Sequence, residues 1–116
     1  MILRQSLVLA VLACPALAET LATGPEIAAA ISGNTIDGTA TGQGPYVEYY
    51  GKDGTIRGYD YSGRWSIQGD LLCVSEVTKL CMRVRINGDL LTWVNDGEGG
   101  EDGATMKILP GNPYNL

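Results

Sequence analysis

Tyrosine is the chemistry-bearing residue type that this chain gathers most densely. Five of its six tyrosines, Tyr46, Tyr49, Tyr50, Tyr59 and Tyr61, lie between positions 46 and 61, with Glu48 and Arg57 among them. If this stretch forms two strands joined by a two-residue turn at Asp53-Gly54, alternation puts Val47, Tyr49 and Ile56 on one side. The other side then carries Tyr46, Glu48, Tyr50, Arg57, Tyr59 and Tyr61. Phenol rings give a large contact area at low entropic cost, so such a face suits a protein, a peptide or a glycan strand. The expected binding residues are therefore Tyr46, Tyr50, Arg57, Tyr59 and Tyr61. Cross-strand aromatic pairing would produce the same row for stability alone, and a reversed parity would turn it into core.

Catalytic chemistry is poorly supplied. The chain has no histidine, which removes imidazole-based triads, His-ligated metals and His pH switches. Ser32, Ser62, Ser66 and Ser75 thus lack an imidazole base, and none sits in a nucleophile elbow. Carboxylate pairs that cleave glycosides need a deep cleft, for which a domain this small has little room. Gly42-Gln43-Gly44-Pro45 precedes a strand and reads as a turn, not as a phosphate cradle. Residues Asn95 to Gly103 carry Asp96, Glu98, Glu101 and Asp102, an oxygen-rich loop. Its spacing matches neither the EF-hand nor the glycine-rich calcium repeat, so it reads as a solvated hairpin loop. The expectation is a non-enzymatic chain with no metal and no cofactor.

The N-terminus predicts export. Arg4 is followed by the apolar run Leu7 to Ala13 and then by Ala16-Leu17-Ala18, a small-x-small cleavage site. The run is shorter than the roughly 20 residues that span a bilayer, so no membrane span is expected in the mature chain. Cleavage after Ala18 leaves 98 of the 116 residues, one domain. A lipoprotein reading through Cys14 is the alternative, with Pro15 directly behind the cysteine. Thirteen acidic and eight basic residues give a net charge of -5, a poor match for nucleic acid or an anionic membrane. Cys73 and Cys81 remain after cleavage. In a periplasmic or secreted protein they are expected to form a disulfide, worth roughly 2.5 kcal/mol by the chain-entropy model. Seven intervening residues do not suit CxxC redox chemistry.

One short helix and about eight strands must position these groups. Thr23-Gly24-Pro25-Glu26 is a capping box opening a helix that Gly33-Asn34 stops. Expected strands are Thr35–Gly38, Tyr46–Gly51, Thr55–Tyr61, Arg64–Gln68, Leu71–Ser75, Leu80–Ile86, Leu90–Asn95 and Ala104–Leu109. Asp53-Gly54, Gly69-Asp70 and Asn87-Gly88 are hairpin turns. Ile67-Gln68-Gly69-Asp70-Leu71-Leu72 recurs as Ile86-Asn87-Gly88-Asp89-Leu90-Leu91, which reads as two similar hairpins. Pairing Cys73 with Cys81 puts Trp65, Ile67, Leu72, Val74, Leu80, Met82, Val84, Ile86, Leu91 and Trp93 on one apolar face. The disulfide, Arg83 and Arg85 take the other. The fold class expected is mainly β: an antiparallel meander forming a small barrel or strongly curved sheet, with one N-terminal helix.

The segments Ile31-Ser32-Gly33-Asn34-Thr35, Asp53-Gly54-Thr55-Ile56-Arg57-Gly58, Gly63-Arg64-Trp65, Cys73, Cys81 and Leu109-Pro110-Gly111-Asn112-Pro113 together resemble a group of small exported bacterial proteins. That group shares a GNT, DGT, GxW, LC…C and GN pattern. The resemblance spans nearly the whole mature chain and implies the fold more than a function. The function expected is an exported module that binds a protein or cell-envelope partner. The alternatives are a carrier of a small apolar ligand, with Trp65 and Trp93 lining a cavity, and an inhibitor of a secreted hydrolase.

Overall fold

A computed structural model describes residues 20–40, 44–95 and 101–116. The segment expected to be an export signal and Cys14 lie outside the described residues, as does 96–100, the centre of the acidic loop. One helix, α1 (Gly24–Ile31), is followed by eight strands: β1 (Asn34–Ala40), β2 (Gly44–Tyr50), β3 (Thr55–Arg57), β4 (Ser62–Gln68), β5 (Leu71–Ser75), β6 (Lys79–Asn87), β7 (Leu90–Asn95) and β8 (Glu101–Pro110). Each strand pairs antiparallel with the next, and β1 pairs with β8, so the sheet is a closed barrel. Closure leaves no free edge strand.

The helix is set by its caps and by what it covers. Thr23 Oγ1 accepts from Glu26 N at 3.3 Å, and Glu26 Oε1 accepts from Thr23 N at 2.8 Å. The capping box thus satisfies two otherwise orphaned amides. At the far end Gly33 has φ +78°, and its amide donates to Tyr50 O at 2.7 Å. Ile27 and Ile31, four apart on one face, are fully buried in the core with Ile36, Leu72, Val84 and Leu91. An eight-residue helix is unstable alone, and here it plugs one end of the barrel. Its first residue is held to the β4–β5 turn: Gly24 N donates to Asp70 Oδ1 at 2.7 Å. A Cβ on Gly24 would sit 2.1 Å from Gly69 O, so the close approach admits only glycine.

The two halves of the sequence repeat are equivalent hairpins. Gln68 pairs with Leu71 and Asn87 with Leu90, so the two-residue turns are Gly69-Asp70 and Gly88-Asp89. Gly69 and Gly88 have φ +63° and +64°, the left-handed region that such turns need. The second turn falls one residue later than the Asn87-Gly88 placement. The pairing moves by two residues as a result, and so the faces are unchanged. Cys73 lies directly opposite Cys81, with their sulfurs 2.08 Å apart, at disulfide distance.

The Asp53-Gly54 hairpin corrects the sequence reading. Tyr50 pairs with Ile56 and Tyr49 with Arg57, so the loop is three residues, Lys52-Asp53-Gly54, not two. Gly54 has φ +89°, Gly51 N donates to Thr55 O at 2.8 Å, and Asp53 Oδ1 accepts from Thr55 N and Oγ1. One extra loop residue changes which residues share a side. Ile56 therefore joins Glu48 and Tyr50 inside the barrel, not Val47 and Tyr49. Tyr50 and Ile56 are completely buried.

The wall is uneven. Seven residue pairs join β2 to β1, but two join it to β3. Among the described residues, Gly44–Glu48 pair with β1 alone. The turns at 58–61 and 76–78 close the wall at the end opposite the helix, beside this upper half of β2.

Candidate functional site

Glu48 is the chemical centre of the barrel. It sits opposite Ile36 on an inward-facing position of β2 and is fully buried. A buried carboxylate is costly unless hydrogen bonds replace its water. Here phenols replace it. Tyr46 and Tyr50 lie two residues to either side on the same strand, so alternation aims them at the same interior space. Both hydroxyls donate to Glu48 Oε1, Tyr50 at 2.9 Å. Tyr61, from the turn before β4, donates to Glu48 Oε2 at 2.5 Å. Tyr50 also meets the edge of Trp65, with ring centroids 6.1 Å apart, and Trp65 Nε1 donates to Gly51 O at 2.8 Å.

A second carboxyl completes the cluster. Glu76, in the β5–β6 turn, comes close enough to Glu48 for that carboxyl to raise its own pKa. It reaches the site because residue 63 is glycine: a Cβ there would lie 2.6 Å from Ser75 O and 2.8 Å from Glu76 Cγ. Two carboxyls this close favour a proton on one of them. Glu48 already accepts from three phenols, so Glu76 keeps the proton.

The cluster shifts its members in one direction. Burial, reinforced by the Glu48 charge, holds the Tyr46 phenol far above its ordinary range. Burial does the same for Tyr50, together with Tyr46 and Glu48. Burial and the hydrogen bond to Glu48 raise Tyr61. The phenols therefore remain donors at any physiological pH. The close approach of the Glu48 carboxyl, then burial and the Glu48 charge, push the Glu76 carboxyl up to about 8. Folded protein thus keeps a proton on Glu76 that unfolded chain releases in the ordinary carboxylate range. The stability from this contact is complete below that range and is lost as pH rises through about 8. Glu76 is largely exposed, so after solvent screening the effect is about 1 kcal/mol. Chemical denaturation between pH 4 and pH 9 should show this decline in the wild type and a flatter profile in Glu76→Gln.

The tyrosines expected on one binding face divide. Tyr46, Tyr50 and Tyr61 converge on Glu48. Tyr59 is 70% exposed on the 58–61 turn, and Arg57 is exposed on β3; neither joins the cluster. The two carboxyls at its hub were not among the expected site residues. Glu48 stood in the tyrosine row, where a reversed parity makes it an interior charge among phenols. Glu76 lies in an ordinary turn, and nothing local marks it. Among the described residues there is no group of three or more metal-ligating side chains, and no helix is long and apolar enough to cross a membrane.

Fold and site together define a closed antiparallel barrel, plugged by a helix at one end and carrying a buried carboxyl held by three phenols toward the other. No protein-family model, curated protein or solved structure matches this chain. Two segments far apart in the chain meet beside the β1–β8 seam. Asn34 Oδ1 accepts from Gly111 N at 3.0 Å, and Thr35 Oγ1 donates to Gly111 O at 2.8 Å. The GNT and GN segments are two halves of one clasp.

Proposed function

We propose that this chain is an exported, non-catalytic barrel module that binds a protein or cell-envelope partner through the rim opposite its helix. The observation that carries this reading is the rim's exposed apolar surface. Val77 is 96% exposed, Tyr59 70%, Leu80 52% and Tyr61 42%, and all four lie on or beside the 58–61 and 76–78 turns. These turns are neighbours, because Arg64 pairs with Ser75 just below them. Exposed apolar and aromatic side chains gathered at one place are typical of contact surfaces. The paired cysteines favour an oxidising compartment and so support export to the periplasm or beyond. Tyr50, Leu72, Leu91, Trp93 and Met106 fill the interior, which favours a surface contact over a carried ligand.

The test is a photo-crosslinking residue placed at Val77, with Leu90 as a control position at the helix end. A partner from the native envelope fraction should crosslink at position 77 and not at 90. Val77→Asp combined with Tyr59→Ser should reduce its capture at least tenfold. Both side chains are solvent-facing, so thermal stability should stay near wild type. Equal capture by the double variant would remove the rim as the contact surface.

A further inference from the structure

We propose that the outer side of β4, β5 and β6 is a binding site for a soluble ligand that carries two or more phosphate groups. The net charge hides how this chain distributes its charges. Strands β4 to β7 carry Arg64, Lys79, Arg83 and Arg85, four of the chain's eight basic residues, and none of its 13 acidic ones. Trp65, Ile67, Leu72, Val74, Met82, Val84 and Ile86 pack in or against the core, so alternation turns all four cations outward. A single-sign patch repels itself, and its neighbours do not relieve it. Among the described residues, Arg64, Lys79 and Arg83 have no carboxylate within ion-pair distance. Arg83 Nε is also buried with no hydrogen-bond partner. A buried donor left unpaired is costly, and an oxyanion bound on this face would satisfy it.

The register builds the site. Arg64 lies opposite Ser75, and Ser75 opposite Lys79, so a cation, a hydroxyl and a cation form one row across three strands. Two strand spacings set the outer pair roughly 10 Å apart. The next row holds Ser66, Cys73 and Cys81. A hollow of about 170 Å³ is bordered by Arg64, Ser66, Cys73, Ser75 and Lys79. The Arg64 guanidinium stands at its lip, where a Cβ on Gly54 would lie 3.3 Å from Nη2. Two cations and two hydroxyls thus surround the hollow from three strands. A tetrahedral phosphate can accept from donors spread in this way, whereas a planar carboxylate accepts near one plane. Arg83 follows Lys79 on the same side of β6 at roughly 13 Å, in place for a second phosphate of the same ligand. Trp65 and Trp93, the aromatic residues of β4 to β7, pack in or against the core, so no ring is offered to a base. The ligand is recognised through its phosphates. The chain's overall negative charge opposes adsorption to an anionic membrane, which favours a soluble ligand. The site needs no partner at the rim, and its test uses none.

The experiment is an NMR titration of the intact protein with tripolyphosphate at low ionic strength. The amides of Ser66, Ser75 and Lys79 and the Arg83 Nε–H should shift together and saturate, and added salt should weaken the binding. Lys79→Gln should weaken it about tenfold, and Arg83→Lys, which keeps the charge but loses the fork, by a similar factor. Lys79 is exposed, so its variant should melt near wild type. Lys52 is an exposed cation on the β2–β3 loop, and Lys52→Gln should bind as wild type does. Three results would overturn the proposal: shifts that never saturate, an equal loss in Lys52→Gln, or a response to phosphatidylglycerol vesicles with none to tripolyphosphate. Because the first readout needs only wild-type protein, a poorly folding variant does not spare the proposal.

Discussion

Glu48→Ala is expected to destabilise the barrel by about 3 kcal/mol, the cost of removing the buried partner from a charged hydrogen-bonded cluster. The methyl group leaves a void, but the larger loss is polar. Tyr50 is completely buried, and its hydroxyl has Glu48 Oε1 as its close acceptor, with Tyr46 OH at a long 3.4 Å. Without Glu48 that O–H has no good partner, and the Tyr46 and Tyr61 hydroxyls lose theirs. For a domain of this length the melting temperature should fall by roughly 15 °C. Glu48→Gln keeps the shape and one accepting oxygen, so its loss should be about half as large. The decisive comparison is thermal unfolding of both variants at pH 6. A Glu48→Ala protein within about 0.5 kcal/mol of wild type would show that the phenols find other acceptors.

Ile27→Ala should cost about 3 kcal/mol, as large-to-small changes at a fully buried site do. The effect has a particular location. Ile27 is completely buried under the barrel floor, and α1 is too short to persist unless it is docked. Losing the Ile27 anchor therefore weakens the whole plug. The capping box and the Gly24–Asp70 bond hold only its first turn. Denaturant unfolding should show the reduced midpoint, and hydrogen exchange at Ala28 to Ser32 should accelerate more than in β7. A loss below 1 kcal/mol would mean that the helix is peripheral to the core.

The architecture was legible because several local signals agreed. Alternation in β4 to β7, the Cys73–Cys81 pair and the Gly69-Asp70 and Asn87-Gly88 turn signals all gave one apolar face, and the barrel has that face inside except at Leu80, which is 52% exposed at the rim. The Thr23 capping box gave the helix start. The site was harder to read, for one physical reason. Asp-Gly is compatible with a two-residue turn and with a three-residue loop that has glycine in the left-handed region. Asp53 Oδ1 selects the longer loop by accepting from Thr55. That single residue moves Ile56 to the tyrosine side and makes the row of Tyr46, Glu48 and Tyr50 interior. Glu76 comes from a distant turn through a gap that only Gly63 permits, a contact that exists in three dimensions alone.

The order of the strands also has a kinetic meaning. Each barrel neighbour is the next strand in the chain, except at β1–β8, where residues 70 or more positions apart must meet: Asn34 with Pro110, and Asp37 with Lys107. Closing so long a loop is the slow, entropy-limited event in an otherwise local assembly. The clasp of Asn34 and Thr35 on Gly111 sits at that junction. Contacts made after the rate-limiting step affect escape from the native state, not entry into it. Thr35→Val should therefore speed unfolding several-fold in stopped-flow chevrons while leaving the refolding arm in place. The clasp would then act as a lock on the finished barrel, setting how long the fold persists more than how quickly it forms.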